Sequence, residues 1–436
     1  MLQYSNMADE NKLEKIISLA KRRGFVYPSS EIYGGYASVY DYGPRGVELK
    51  NNIKKAWWNE MVYKRVDVVG LDSAIFMHPK TWEASGHVEG FTDPLVECKK
   101  CHHRFKSDNL DACPDCGGQL TEEKNFNLLV EAKMGVTDEA KSKAYLRGET
   151  CQGIYLNFQN VLNSTRQKIP FGIAQIGKAF RNEITPKNFI FRTREFEQME
   201  MQFFIPPDKK LAQETFDYWK QERLNWYLNL GIDSKKLRFR EHTNDERAHY
   251  ALAAEDIEYN TTFGGFKEFE GIHNRGDWDL SRHSKYSGKD LGYLEPDGTR
   301  VIPWIIETSA GVDRAFLMFL LDSYKHDKDK NRIYLSLHKS LVPVQVAVFP
   351  LLGNKPELIS KARGIFDNLI KQGFIAEWDD RGNIGKRYYS QDEIGTPHCV
   401  TIDFDTLEKN EVTVRDRDTA IQEKVSIDKL VKYLKK

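Results

Sequence analysis

Two neighbouring stretches decide the reading of this chain: IAQIGKAFRNEI (173–184) and FRTREFEQMEMQFF (191–204). Alternate residues of a strand share a face. Gln175, Arg181 and Glu183 therefore fall on one face of the first segment. Arg192, Arg194, Gln198, Glu200 and Gln202 fall on one face of the second. Two such strands side by side make a polar floor, not a core. The residues alone leave two readings open: a solvated sheet face with cross-strand ion pairs, or the floor of a binding site.

Downstream, IPWIIETSAGVDRAFLMFLLDSY (302–324) reads as a strand, a glycine turn and a very apolar helix. Glu307 and Ser309 point the same way from the strand. Gly311 permits a sharp turn there. Arg314 falls in the first helical turn, a placement that suits an anionic ligand such as a nucleotide phosphate. Pairing with Asp313 or Glu307 is the alternative. Arg147 and Glu149, in LRGET (146–150), come to one strand-like face, and Glu268 and Arg275 flank a strand and turn. Each pair alone also reads as surface charge. No GxxxxGK[ST] and no GxGxxG occurs, which argues against the common nucleotide folds.

Four of the six cysteines fall in Cys98-x2-Cys101 and Cys113-x2-Cys116. Two such knuckles bring four thiolates to one tetrahedral Zn²⁺, a closed structural site. The segment 96–120 is thus expected to be a small zinc-ribbon-like insert. Four free thiols are the alternative.

The 436 residues imply about three domains. Lys+Arg and Asp+Glu both number 64, which excludes a globally basic nucleic-acid coat, so phosphate contacts need local basic patches. No apolar run approaches the roughly 20 residues of a membrane span. The N-terminus lacks the features of a signal peptide, and a cytoplasmic location is expected. Helices are read at 10–23 and 48–64, and an extended segment at 66–79. The polar-amphipathic stretch at about 206–250 reads as a helical insertion. After 325–342 the texture changes to alternating strands and helices, a small α/β domain. In it, 398–405 and 411–418 read as a hairpin.

Seven segments carry a family resemblance: RRGFVYPSSEIYGG (22–35), YGPRGVELKNN (42–52), WEASGHVEGFTDP (82–94), YLRGETCQG (145–153), PFGIAQIGKAFRNEITP (170–186), FIFRTREFEQME (189–200) and IETSAGVDR (306–314). Their order resembles the dimeric type of glycyl-tRNA synthetase, a class II aminoacyl-tRNA synthetase, from about Ile16 to the C-terminus. The helix and strand ending at Pro79 look like motif 1, Phe180 through Glu200 like motif 2, and Gly311–Arg314 like motif 3.

The resemblance implies an α+β fold: the class II antiparallel sheet with flanking helices over 1–335, and a C-terminal α/β anticodon-binding domain over 336–436. It implies a glycine–tRNA ligase that forms glycyl-adenylate from glycine and ATP with Mg²⁺, then charges tRNA(Gly). A homodimer is expected through motif 1. Arg181 and Arg314 would be catalytic, on the α- and γ-phosphates. ATP would also meet Asn182, Glu183, Phe191, Arg192, Thr193, Arg194, Glu195, Phe196, Glu268, Phe269, Gly311, Val312 and Asp313. Glycine would lie among Glu149, Phe196, Glu200, Arg275, Glu307, Ser309 and Gly311. Carboxylates keep the glycine ammonium charged. A site without room for a side chain rejects alanine, since overpacking costs roughly 1–3 kcal/mol.

The chain departs from the family's usual pattern in four places. Gly148 and Cys151 stand in a usual Arg-Pro-Glu-Thr-Ala-Gln, Lys106 at a usual Arg, and Thr308 at a usual Pro. A non-catalytic paralogue commonly lacks the motif arginines, both retained here. A class II synthetase for another small amino acid is the other alternative; the threonine enzymes commonly carry a catalytic zinc, whereas this site reads as closed.

Overall fold

The structure is a computed structural model that describes residues 2–107, 110–136, 143–183, 188–243, 246 and 251–435, with side chains from Lys12 onward. Ile184, at the end of the first quoted stretch, lies outside the described residues. So do most of 244–250, at the end of the expected insertion.

A seven-stranded sheet organises the larger part of the chain. Its strands lie in the order Leu237–Glu241, Ala253–Thr261, Gly265–Gly276, Trp304–Gly311, Glu195–Ile205, Phe171–Phe180 and Val68–Gly70. All neighbours are antiparallel except the last pair. The sheet's two-residue period separates its faces. Met199, Met201 and Phe203 enter the core beside Trp57, Trp219 and Phe316. Gln198, Glu200 and Gln202 turn the other way and are also buried. Each large apolar side chain in this core contributes about 1.5–3 kcal/mol, which holds the polar face rigid from behind.

Behind the sheet lie the helices Pro44–Trp58, Lys209–Asn229 and Val312–Ser323. Every residue of Val312–Ser323 except Arg314 is buried. A helix apolar all round belongs inside a protein, so the one charged side chain left in contact with solvent stands out.

The C-terminal domain is a five-stranded sheet in the order Ala376–Trp378, Val346–Pro350, His398–Ile402, Glu411–Asp416 and Gln422–Ser426, with its own apolar cluster. A buried ion network joins the two parts: Asp392 receives Arg332 at 3.1 Å and Arg415 at 2.8 and 2.9 Å.

Several elements differ from the sequence reading. The stretch 206–250 is not wholly helical: after Lys209–Asn229 it supplies the edge strand Leu237–Glu241. The backbone of that strand pairs with Ala253–Thr261 at the edge of an existing sheet, an opportunity that local periodicity does not display. The pair His398–Ile402 and Glu411–Asp416 is antiparallel, but the helix Phe404–Lys409 joins it in place of a tight turn. A capping box at Asp403 and Thr406 starts that helix. Gly311 has φ −76°, an ordinary value, so the strand passes into the helix without a left-handed turn. Gly177 does have a steric reason, since a Cβ there would lie 2.1 Å from Arg147 Nη2.

Candidate active site

The first strand ends at Phe180 and the second begins at Glu195. Arg181, Glu183, Arg192 and Arg194 therefore lie beyond the strands, in the connecting segment, and not on the pleated face itself. The polar floor is made by Gln175, Gln198, Glu200 and Gln202, all buried. Gln175 lies directly opposite Glu200.

Over this floor opens a cavity of about 220 Å³ lined by Arg181, Glu183, Phe191, Arg192, Thr193, Phe196, Glu268, Phe269, Ser309, Gly311, Asp313 and Arg314, with Ile190 and Gln198. Arg181 is held between the rings of Phe91 and Phe196, at 5.1 and 5.3 Å. Its Nε donates to the Gly148 carbonyl at 3.1 Å. Arg314 lies over the Phe191 ring at 4.6 Å and pairs with Glu268 at 3.2 Å. Glu268 is thus its partner, neither Asp313 nor Glu307, and Arg314 in turn holds the Glu268 carboxyl below the usual range. Two guanidinium groups stacked on rings and facing one cavity form an anion-binding pair.

Asp313 has a different office. Its carboxylate takes Lys50 Nζ at 2.9 Å, the Glu197 backbone N–H at 2.7 Å and the Tyr42 hydroxyl. It fastens the start of the helix that carries Arg314. Val312 is fully buried in the core. Asn182, Arg194 and Glu195 line a second cavity of about 780 Å³, which shares Arg181 and includes Tyr36, Phe126 and Tyr145.

Glu200 of the floor belongs to a carboxylate cluster with Glu149 and Glu307. Glu200 and Glu307 are buried, at 2% and 3% exposure, and the Glu149 side chain is 14% exposed. Arg147 and Glu149 are not surface charge. Arg147 is 1% exposed and donates to Lys178 O and Ser73 O, while Glu149 turns to the cluster. Glu307 accepts Arg275 at 3.1 Å, His273 at 2.7 Å and Gln202 at 2.7 Å. Burial opposes its ionisation, but Arg275 and His273 hold it down at about 2. Burial likewise opposes Glu149, and His87 and Arg275 hold that carboxyl well below the usual range. Glu200 goes the other way. Burial and its neighbours Glu307 and Glu149 push it well above the usual range. Three carboxylates around one buried point, set against Arg275, leave a site suited to a small cation.

Residues 130–324 match the tRNA synthetase class II core domain (G, H, P, S and T), and residues 345–436 match the anticodon binding domain. A glycine–tRNA ligase of Treponema denticola is 52% identical over 439 residues, which cover 97% of this chain and 96% of that protein. That of Borreliella burgdorferi is 53% identical over 437 residues, 97% of each chain. That of Thermobifida fusca is 51% identical over 457 residues, 98% of each chain.

The chain belongs to the glycine–tRNA ligase family of class II aminoacyl-tRNA synthetases.

Family membership leaves the site's supporting contacts to be read from the fold. Sequence reasoning missed His87, Thr150, His273, Asp279, Lys50 and Tyr42. Thr150 donates to Glu200, and Asp279 takes Arg275 at 2.8 Å. His87 lies within a quoted family segment, yet nothing in the spacing of WEASGH connects it with Glu149. Lys106 pairs with Asp93 at 3.1 Å in the small sheet of the insert.

The four knuckle sulfurs lie within 4.8 Å of one another. Two of the separations are 3.5 and 3.6 Å, Cys98 to Cys116 and Cys101 to Cys113. A tetrahedral zinc with Zn–S near 2.3 Å sets its sulfurs ~3.8 Å apart, so the donor set fits the ion. Gly118 leaves room for it, since a Cβ there would lie 2.9 Å from Cys98 Sγ. Among the described residues, no helix is long and apolar enough to cross a membrane.

Proposed function

We propose that this chain activates glycine with ATP in the cavity over Glu200 and then passes glycine to the 3′ end of tRNA(Gly). The observation that carries this reading is the stacking of two arginine–ring pairs, Arg181 and Arg314, above the buried Glu200 and Glu307 with Glu149 beside them. In this reading the glycine ammonium sits among Glu149, Glu200 and Glu307, and Ser309, Gly311 and Phe196 leave no room for a methyl group. Arg181 binds the glycine carboxylate and the α-phosphate. The carboxylate attacks the α-phosphorus in line, and pyrophosphate leaves past Arg314. No general base is needed, because the nucleophile is already ionised. Catalysis rests on positioning and charge stabilisation.

Phe191 and Phe269 bracket the nucleotide, with Arg192, Thr193 and Glu183 at its edge. Mg²⁺ takes oxygen donors, often one or two carboxylates plus substrate phosphates. Glu268 and Glu183 line the cavity and fit that role; the ion, when bound, offsets phosphate charge. The larger cavity sharing Arg181, with Asn182, Arg194 and Glu195, supports an approach for the tRNA end. We further assign residues 1–335 to the catalytic domain, with the insert 96–120 folded on structural Zn²⁺, and 336–436 to the anticodon-binding domain. Tyr63 and Val66, 75% and 95% exposed near motif 1, support a homodimer. A cytoplasmic site of action suits a tRNA ligase.

The test is exchange of labelled pyrophosphate into ATP with a panel of amino acids. Glycine alone should support exchange. Exchange with alanine, serine, threonine or proline instead, or none with folded protein, would overturn the reading.

A further inference from the structure

Among the described residues, every donor that reaches Glu149 reaches one oxygen, Oε1. His87 Nε2 lies at 3.1 Å, Cys151 Sγ at 2.9 Å and Gln152 Nε2 at 2.9 Å. A carboxylate fixed at one oxygen cannot rotate freely, and its second oxygen remains for a further donor. Cys151 and Gln152 are near in sequence to Glu149. His87 contacts it from a distant element, the short helix His87–Gly90, while Arg275 acts on it through its charge.

His87 is itself fixed. Its Nδ1 lies 2.8 Å from the Ser85 hydroxyl. Its ring meets Trp82 edge-on at 5.2 Å and Phe91 at 5.0 Å. An ionised carboxylate only accepts hydrogen bonds, so Nε2 meets it as a donor, while the Ser85 hydroxyl, which donates to the Trp82 carbonyl at 3.3 Å, lies against Nδ1. Phe91 in turn lies under the Arg181 guanidinium at 5.1 Å. One packed unit of Trp82, His87 and Phe91 therefore supports both the carboxylate for the glycine ammonium and the arginine for its carboxylate.

We propose that His87 is a positioning residue for glycine: it holds Glu149 Oε1 so that Oε2 meets the substrate ammonium. This rests on the assignment of Glu149 to the glycine pocket. It goes beyond that assignment in naming the group that aims the carboxylate, and in separating a polar contact of His87 with that carboxylate from a packing role.

The experiment compares His87→Phe, which keeps a ring against Trp82 and Phe91 without the donor, with His87→Gln, which keeps a donor without the ring. Both are assayed by glycine- and ATP-dependent pyrophosphate exchange in the full chain, with the melting temperature measured in parallel. His87→Phe should raise the glycine KM about 10- to 100-fold, the usual weight of a hydrogen bond to a charged group, and leave the ATP KM within about twofold. His87→Gln should recover most of the lost glycine affinity. An unchanged glycine KM in His87→Phe, or equal rises in both KM values, would overturn the proposal. Should His87→Phe not fold, Ser85→Ala decides: it removes the Nδ1 partner, and an unchanged glycine KM there overturns the proposal. Wild-type protein without glycine-dependent exchange would instead overturn the assigned activity.

Discussion

Glu200 and Glu307 lie on neighbouring strands of the sheet's polar face, and one side chain bridges them. Gln202 Nε2 donates to Glu307 at 2.7 Å and to Glu200 at 3.2 Å. The two carboxyls are driven apart in acidity, Glu307 down to about 2 and Glu200 well above the usual range. The difference follows from their partners. Arg275 and His273 serve Glu307, whereas Glu200 faces two carboxylates and has only neutral donors in Thr150 and Gln202.

This gives a prediction for Glu200→Gln. An acid whose folded pKa is raised withdraws stability as pH climbs from its unfolded value, ~4.3, through the folded one. The variant should therefore melt higher than wild type, increasingly so as pH rises. Its glycine KM should also rise, because the ammonium loses a charged partner. In wild type the glycine KM should fall as pH increases and Glu200 ionises, and this slope should vanish in the variant. Parallel pH series of melting temperature and exchange kinetics check both; a variant that melts lower at all pH values counts against it.

Arg181→Ala should reduce glycine-dependent exchange by about 10²–10³-fold, the usual effect of removing a preorganised charge donor. The melting temperature should change little, since the guanidinium stacks at the cavity wall. Near-normal exchange would remove the assigned role.

Protein prepared with zinc should carry one zinc per chain by metal analysis. Cys113→Ser should lose it and expose the insert to limited proteolysis. Because the insert is a separate small sheet from the seven-stranded one, the main thermal transition should persist. Metal-free wild type with a protease-resistant insert would contradict the zinc assignment.

Thr308→Val should stabilise the protein by about 1 kcal/mol. Among the described residues the buried Thr308 hydroxyl has no partner, on the apolar side of its strand beside Met201 and Ile272. A methyl group of like size removes the desolvation cost of the orphan oxygen. Chemical denaturation measures the change, and a loss of stability would show that the hydroxyl does find a partner.

Asp392→Asn should destabilise the junction of the two domains by about 3–5 kcal/mol, because it leaves Arg332 and Arg415 buried beside a neutral amide. The expected sign is a lowered melting transition, with aminoacylation failing before exchange. An unchanged transition would show that the arginines find other acceptors.

Much of this protein was legible in the chain itself. The alternation in 191–204 separates Met199 and Met201 from Gln198 and Glu200, and that alone makes one face of the sheet core and the other polar. The CxxC spacing brings four sulfurs together because two short knuckles have little else they can do. The ordered motifs identify the family. The tertiary structure decided the rest. Local periodicity placed Arg181 and Arg192 on strands, but the strands end at Phe180 and start at Glu195, where sheet pairing stops. The sequence offered Arg314 two carboxylates, Asp313 and Glu307, and packing gave it a third, Glu268. Lys50 meets Asp313 across 263 positions of sequence, and His87 meets Glu149 from another element. Such contacts form only when the core has brought distant segments into register. Sequence patterns report the face a residue takes within its own element, while the partner it meets is set by how the elements pack.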